Sequence, residues 1–478
     1  MFFTSSPAYT IFIRLKFSNL PGMLGNITSV ITKMGGEVRG INLVETSKTW
    51  VVRDIHVNVR DGAHAKEIIR EISSIDGVSV EFVSDRTFLA HLYGKLEVVS
   101  KRKISTTEDL ARLYTPGVGR VVKAIEKIPD IAFTYTIKSN TVAIVTDGSA
   151  VLGFGNVGPY AAIPVMEGKA AILKEFAGVN GFPICLATQD IEQIVSIVKA
   201  ISPVFGAINL EDISAPRCFE VERRLQEELD IPVMHDDQHA TAIIVLAALL
   251  NSLKIVGKSF SDIKIVINGA GAAGIATTKL LLKLGIKNII LCDKKGAIGR
   301  DGENALNDYQ VDVAQYTNPD NYKGDLKGAL KGADVFIGLS VGNILKGEDL
   351  KFMEKDAIVF ALANPIPEVD PLDAERYTRI VATGRSDFPN QINNALVYPG
   401  FFKGVLNVRA KKIVDDMKIA AAYAIANLID DSELYEEYII PSIFDQRVVN
   451  AVSDAVATIA IREDLIRSLE QLKDISEF

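Results

Sequence analysis

The chain has 478 residues, nearly half of them apolar, which is room for roughly three or four domains with cores of their own. Its formal net charge is −8 and no long basic run occurs, so a nucleic-acid footprint is excluded. Cys185, Cys218 and Cys292 are widely spaced, which argues against a disulfide framework or a structural zinc site and for small buried thiols.

Residues 1–17 lack the basic, apolar and small-residue order of a secretion signal. The longest clean apolar run, residues 240–250, is too short to cross a bilayer. The expectation is a soluble cytoplasmic protein with no membrane partner.

Residues 9–84 read as a small separate unit. Residues 9–17 alternate as a strand, and Pro21 suits a helix start before helical spacing over 23–34. Residues 38–44 and 50–59 read as a strand pair, 63–73 as a helix and 78–83 as a last strand. The order is βαββαβ, a ferredoxin-like pattern. Asn19-Leu20-Pro21-Gly22-Met23-Leu24-Gly25, with Gly36 opening the second strand, resembles an ACT domain, a small regulatory module. The resemblance implies a small-molecule effector site near residues 20–26, or a pairing surface.

Residues 88–103 read as a linker. Beyond it strands and helices alternate, with strands at 143–146, 182–186, 204–208 and 231–234 and helices around 168–177 and 189–202. Two acidic pairs follow the last two strands: Glu211-Asp212, and Asp236-Asp237 between His235 and His239. Each pair stands at the carboxyl end of a strand, where α/β sheets place ligand chemistry. Adjacent carboxylates repel, so Glu211, Asp212 and one of Asp236 and Asp237 suit a hard divalent cation, Mg²⁺ or Mn²⁺. The two histidines are assigned hydrogen-bonding roles.

Strand 263–267 runs into Asn268-Gly269-Ala270-Gly271-Ala272-Ala273-Gly274, then a helix over 275–284, then strand 288–292 ending at Asp293. Gly269, Gly271 and Gly274 allow a tight turn, close approach of pyrophosphate and close helix packing. Ala272 and Ala273 lie in the same cofactor loop, ahead of the helix whose N-terminus supplies donors for the phosphates. Asp293 lies where an acid accepts from an adenine ribose, which favours NAD. Lys294 and Lys295 would offset its repulsion of a 2′-phosphate, so NADP stays open. A βαβ series runs to about residue 380, and 415–428 and 447–461 are helical.

Tyr114 sits on a Pro/Gly turn, Tyr114-Thr115-Pro116-Gly117-Val118, and Lys169 at a helix start in Met166-Glu167-Gly168-Lys169-Ala170. These motifs resemble malic enzymes of the compact bacterial and archaeal type. So do Thr146-Asp147-Gly148-Ser149-Ala150-Val151-Leu152-Gly153, Glu211-Asp212-Ile213, His235-Asp236-Asp237-Gln238-His239, Phe360-Ala361-Leu362-Ala363-Asn364-Pro365 and Asn393-Asn394. The resemblance covers about four-fifths of the chain.

It implies oxidative decarboxylation of (S)-malate to pyruvate, with a malolactic reaction or a non-catalytic nucleotide and amino-acid sensor as alternatives. Glu211, Asp212 and Asp237 fall on the metal ligands, Lys169 on the general base and Tyr114 on the general acid. Asp236 falls on the carboxylate that supports the lysine, and Asn364 and Asn394 on substrate-binding asparagines. It further implies a homo-oligomer, a dimer or tetramer. Two positions depart from the family. Ala150 replaces an arginine of larger members, which leaves Lys138, Ser149 and the asparagines to hold the distal carboxylate. Ala240 replaces a glycine, and its methyl would tighten packing beside the metal. The implied segments are an ACT unit (1–85), a substrate and metal domain (86–239), a Rossmann domain (240–408) and a helical tail (409–478).

Overall fold

The computed structural model describes residues 6–151 and 153–467, so Leu152 and residues 1–5 and 468–478 of the segments above lie outside the described residues. The chain parts into two units, Met1–Val98 and Val99–Phe478.

In the first unit β1 (Ser6–Ser18), α1 (Met23–Lys33), β2 (Glu37–Thr46), β3 (Trp50–Val59), α2 (Gly62–Ser73) and β4 (Val78–Asp85) follow in the expected βαββαβ order. The sheet order is β2-β3-β1-β4, all antiparallel. Alternation along β1 turns Ile11, Ile13, Leu15 and Phe17 to one face, where they meet Ile27, Ile31, Ile68 and Ile72 of the two helices. Truncating one of these fully buried isoleucines would cost about 2–5 kcal/mol. Asp61 caps α2 by accepting from His64 N at 2.8 Å. Pro21 does not open α1: Gly22, with φ 91°, is the N-cap and the helix starts at Met23.

The expected linker begins as a helix, α3 (Arg86–His91). Asp85 ends β4 and accepts from Thr87 N at 2.7 Å, so one residue closes a strand and caps a helix.

The second unit opens with short helices, α4 (Thr107–Leu113), α5 (Val118–Lys127) and α6 (Ala132–Tyr135). A Thr106/Asp109 capping box starts α4. A four-stranded parallel sheet follows, built from β5 (Thr141–Thr146), β6 (Asn180–Cys185), β7 (Ala207–Leu210) and β8 (Val233–His235), in the order β6-β5-β7-β8. Its crossovers are α7 (Gly158–Ala177), α8 (Ile191–Ile201) and α9 (Arg217–Glu228). β5 and β7 are buried at every residue, as parallel strands covered on both faces must be. The strand expected at 204–208 starts later. Pro203 belongs to a 3₁₀ turn that extends the end of α8, and pairing resumes only after Gly206.

α10 (Asp236–Val256) begins directly after β8 and runs through the expected boundary at 239/240. It is long and apolar enough to cross a membrane, beyond the run visible in the sequence. Two-thirds of its most apolar window is buried inside the fold, and Ala240 is fully enclosed. After it come β9 (Ile265–Asn268), α11 (Ala272–Lys283), β10 (Ile289–Asp293), β11 (Gly296–Ala297), α12 (Asp308–Ala314), α13 (Leu326–Ala329), β12 (Val335–Gly338), β13 (Ile358–Ala361), α14 (Pro371–Ala374) and β14 (Ile380–Thr383). The order β11-β10-β9-β12-β13-β14 is the doubly wound 3-2-1-4-5-6 arrangement, with β11 reduced to two antiparallel residues. α15 (Tyr398–Asn407), α16 (Asp415–Ala426) and α17 (Gln446–Arg462) complete the unit and share one core with both sheets.

Candidate active site

Both acidic pairs leave the carboxyl edge of the first parallel sheet. Glu211 and Asp212 follow β7. Asp236 and Asp237 form the first turn of α10, where the positive helix end favours carboxylates. One oxygen each from Glu211, Asp212 and Asp237 lies within 4.8 Å of the others. Asn209 Nδ2 donates to Glu211 Oε2 at 2.9 Å, and Asp212 N donates to Asp237 Oδ2 at 2.9 Å. Asp212 has φ 53°, the strained left-handed region, so its backbone is bent to present the carboxylate here.

Burial pushes the Glu211 carboxyl well above its usual range, and Asp236, Asp237 and Asp212 push it further against the opposing charge of Lys169. Such a set of hard oxygens, short of positive charge, fits Mg²⁺ or Mn²⁺.

Asp236 turns away from this trio. Its Oδ2 accepts from Lys169 Nζ and, at 2.5 Å, from Asn394 Nδ2, while Oδ1 is buried with no hydrogen-bond partner among the described residues. Lys169 Nζ also lies 3.1 Å from Glu211 Oε1. The lysine is not at a helix start: α7 begins at Gly158, with Pro159 in its first turn, and Lys169 stands mid-helix. Burial opposes the charge, but Asp236 and Glu211 outweigh it and hold the ammonium.

Asn394 thus joins the cluster. Asn364 lies in the loop three residues past β13, its backbone carbonyl 2.5 Å from where a Cβ on Gly153 would sit. Tyr114 does not join: it is the C-cap of α4, 64% exposed, with no hydrogen bond or ring contact to Lys169 among the described residues. Lys138 is at the wrong end of its strand. It precedes β5, on the amino edge, where Nζ donates to Phe205 O at 2.6 Å and Ser202 O at 3.3 Å. Ser149 is on the carboxyl edge, bonded to Asp147 Oδ1 at 2.5 Å. The cation beside it is Arg217, 3.0 Å from Asp147 Oδ2 and donating to Ser214 Oγ at 3.0 Å.

His239 hydrogen-bonds Glu222 Oε2 at 3.0 Å, as its assigned role requires. His235 is fully buried, and neither ring nitrogen has a hydrogen-bond partner among the described residues; Nε2 is 3.5 Å from Asp237 Oδ2. Glu222 is the residue that organises this segment. It also accepts from His235 N at 2.8 Å and Gln238 Nε2 at 2.9 Å. One glutamate thirteen residues upstream carries no local signal of that role. Tyr398 was missed as well; its ring centroid is 4.4 Å from Lys169 Nζ. Its spacing of four from Asn394 could have flagged it.

At the second sheet the glycines divide their work. A Cβ on Gly269 (φ 108°) would meet Leu339 O at 2.3 Å, and one on Gly274 would meet Gly269 O at 1.7 Å, so both are packed by backbone. Gly271, the N-cap of α11, faces open space, with Ala272 and Ala273 starting the helix behind it. Asp293 ends β10, and its Oδ2 accepts from Gln310 Nε2 at 2.8 Å. Gln310 also donates to Ala270 O at 2.9 Å, which ties the acid to the turn. The residues fit a dinucleotide.

Residues 5–80 match an ACT domain, 93–226 the malic enzyme N-terminal domain and 239–463 the malic enzyme NAD-binding domain. The chain is 56% identical over 460 residues to the NAD-dependent malic enzyme of Geobacillus stearothermophilus, with 96% of each chain covered. It is 52% identical over 385 residues to the bifunctional malic/malolactic enzyme of Bacillus subtilis strain 168, covering 80% of this chain and 94% of that one. The crystal structure of the NAD-dependent malic enzyme from Thermotoga maritima aligns with a TM-score of 0.76 at 49% identity, over 78% of this chain and 99% of that chain. With such identity along nearly its whole length, the chain belongs to the malic enzyme family.

Proposed function

We propose that this enzyme converts (S)-malate and NAD⁺ to pyruvate, CO₂ and NADH. The observation that carries the reading is the Lys169–Asp236 pair set against the Glu211, Asp212 and Asp237 cluster. A divalent ion would polarise the 2-hydroxyl and absorb charge as CO₂ leaves, and NAD⁺ would take the hydride. Lys169 takes the hydroxyl proton at Nζ, held in place by Asp236, which Asn394 steadies. Drawing Glu211 toward an ion removes one of the carboxylates on Lys169 and so favours the neutral base. Asn364 binds substrate from the β13 side. Tyr114 protonates C3 of the enolate. Because it is exposed and apart from Lys169 within one chain, we assign that step to Tyr114 of a second copy in a homo-oligomer.

Absorbance at the nicotinamide band, with malate and Mn²⁺, tests the reading. Lys169→Ala is expected to lower kcat by 10³-fold or more, an order set by loss of a general base together with its positioning. Chelation abolishes activity, Mn²⁺ restores it, and Glu211→Gln is not restored. Malate-independent or metal-independent turnover rejects the assignment. The name of the Bacillus subtilis relative favours one second reading, a malolactic reaction; lactate forming without net NADH establishes it.

The ACT domain is assigned effector control, with the ligand at residues 20–26 shifting the population of active enzyme. Kinetics with a panel of amino acids should give one that changes KM. Leu20→Glu, at a 65% exposed position of that loop, should remove the response but not the basal rate. A response that survives this change places the effector elsewhere.

A further inference from the structure

Tyr398 has no role in the reaction as assigned above. It opens α15, which packs against α7, and it lies one helical turn after Asn394. That spacing sends the Asn394 amide to Asp236 and the Tyr398 ring to Lys169, so two neighbouring side chains grip the two members of one ion pair. The side chain is 2% exposed. Its hydroxyl is buried and has no hydrogen-bond partner among the described residues. Burial holds the phenol far above its usual range against the opposing charge of Lys169, and Asp236 and Glu211 add to the rise, so the hydroxyl keeps its proton. What Lys169 meets is the face of a neutral ring, with Nζ 4.4 Å from the centroid.

We propose that Tyr398 is a positioning residue for the base: its ring holds the Lys169 ammonium in place by a desolvated cation–π contact, and its hydroxyl is dispensable. This rests on the reading of Lys169 as general base. The physical need is specific. The base gains a proton in one half of turnover and loses it in the other, and its carboxylate neighbours are shared with other partners. A ring face attracts the ammonium that forms as Lys169 takes the hydroxyl proton, and it does so without a directional hydrogen bond and without competing for the carboxylate oxygens.

The test replaces Tyr398 in the full-length, metal-loaded enzyme. Tyr398→Phe should keep kcat within about twofold, since the ring face remains. A series of 4-fluoro-, 3,5-difluoro- and 3,4,5-trifluorophenylalanine at position 398 drains the ring face stepwise at nearly constant size. It should lower kcat progressively to roughly a tenth, the scale of a desolvated cation–π contact, with malate KM and unfolding temperature unchanged. The ε-methylene protons of Lys169 should show an upfield ring-current shift that Tyr398→Phe keeps and Tyr398→Leu loses. A flat fluorination series overturns the proposal, as does loss of activity in Tyr398→Phe, which would make the hydroxyl the working group. If Lys169→Ala is inactive while the series is flat, this inference alone fails. If Lys169→Ala retains turnover, the base assignment fails and this inference with it.

Discussion

At the scale of single residues, charge balance decides what the acidic motif can do. Four carboxylates and one lysine meet on one sheet edge, and the pairing splits them: Asp236 goes to Lys169, while Glu211, Asp212 and Asp237 face one another. The residue types were legible in the sequence, but the partners Glu222 and Tyr398 were not, because each acts from a different element. Glu222 shows how opposing terms resolve. Burial alone would raise its pKa, yet His239, Lys418 and His235 hold it down at about 2. The His239 ring N–H, Gln238 Nε2 and His235 N give the Glu222 carboxylate three N–H donors. A depressed carboxylate stabilises the fold above its unfolded pKa, and that stabilisation is lost as pH falls through the folded value. Glu222→Gln should therefore be less stable than the parent by about 3 kcal/mol at neutral pH. Denaturant titrations should show the gap closing between pH 4.5 and about 2. A gap that stays constant across that window would mean the carboxylate charge contributes nothing.

At the scale of elements, the dinucleotide turn was the most legible part, since its chemistry is local. Strand, three glycines, helix and acid are contiguous, and the structure gives each glycine a separate duty. Gly271→Ala should leave the unfolding temperature unchanged and weaken NAD⁺ binding, measured as Kd by fluorescence, because the methyl points into the open space at the helix N-terminus. Gly274→Ala should cost about 1–3 kcal/mol of stability as well, since its methyl would run into Gly269 O. Equal unfolding temperatures for the two variants would contradict this division. α7 was half-read, because Pro159 and Pro164 suggest breaks where the helix is continuous. A proline in a first turn costs nothing, so the start at Gly158 moves Lys169 from a helix end to its middle.

At the scale of the whole molecule, Tyr114 poses the question of assembly. In the same segment Ile104, Leu110, Leu113 and Val122 are between 44% and 57% exposed. If Tyr114 serves a partner's Lys169, mixing Lys169→Ala chains with Tyr114→Phe chains rebuilds one intact site per mixed dimer. Symmetric pairing then predicts recovery of up to about a quarter of parent activity. No recovery after co-refolding or co-expression would confine each site to a single chain. α10 acts at this scale too: it starts at the carboxylate cluster and packs along α11 and α16, so one helix links the two sheets.

The sequence by itself determined the βαββαβ order of the first unit, the dinucleotide turn and the residue types of the carboxylate cluster. Periodicity, turn chemistry and short motifs are properties of neighbours along the chain. Only the tertiary structure decided that Glu211 also reaches Lys169, that Lys138 lies on the amino edge of the sheet, that Tyr114 stands apart, and that Tyr398 packs against Lys169. Those are contacts between elements far apart in sequence, fixed by strand order and helix packing rather than by any local pattern.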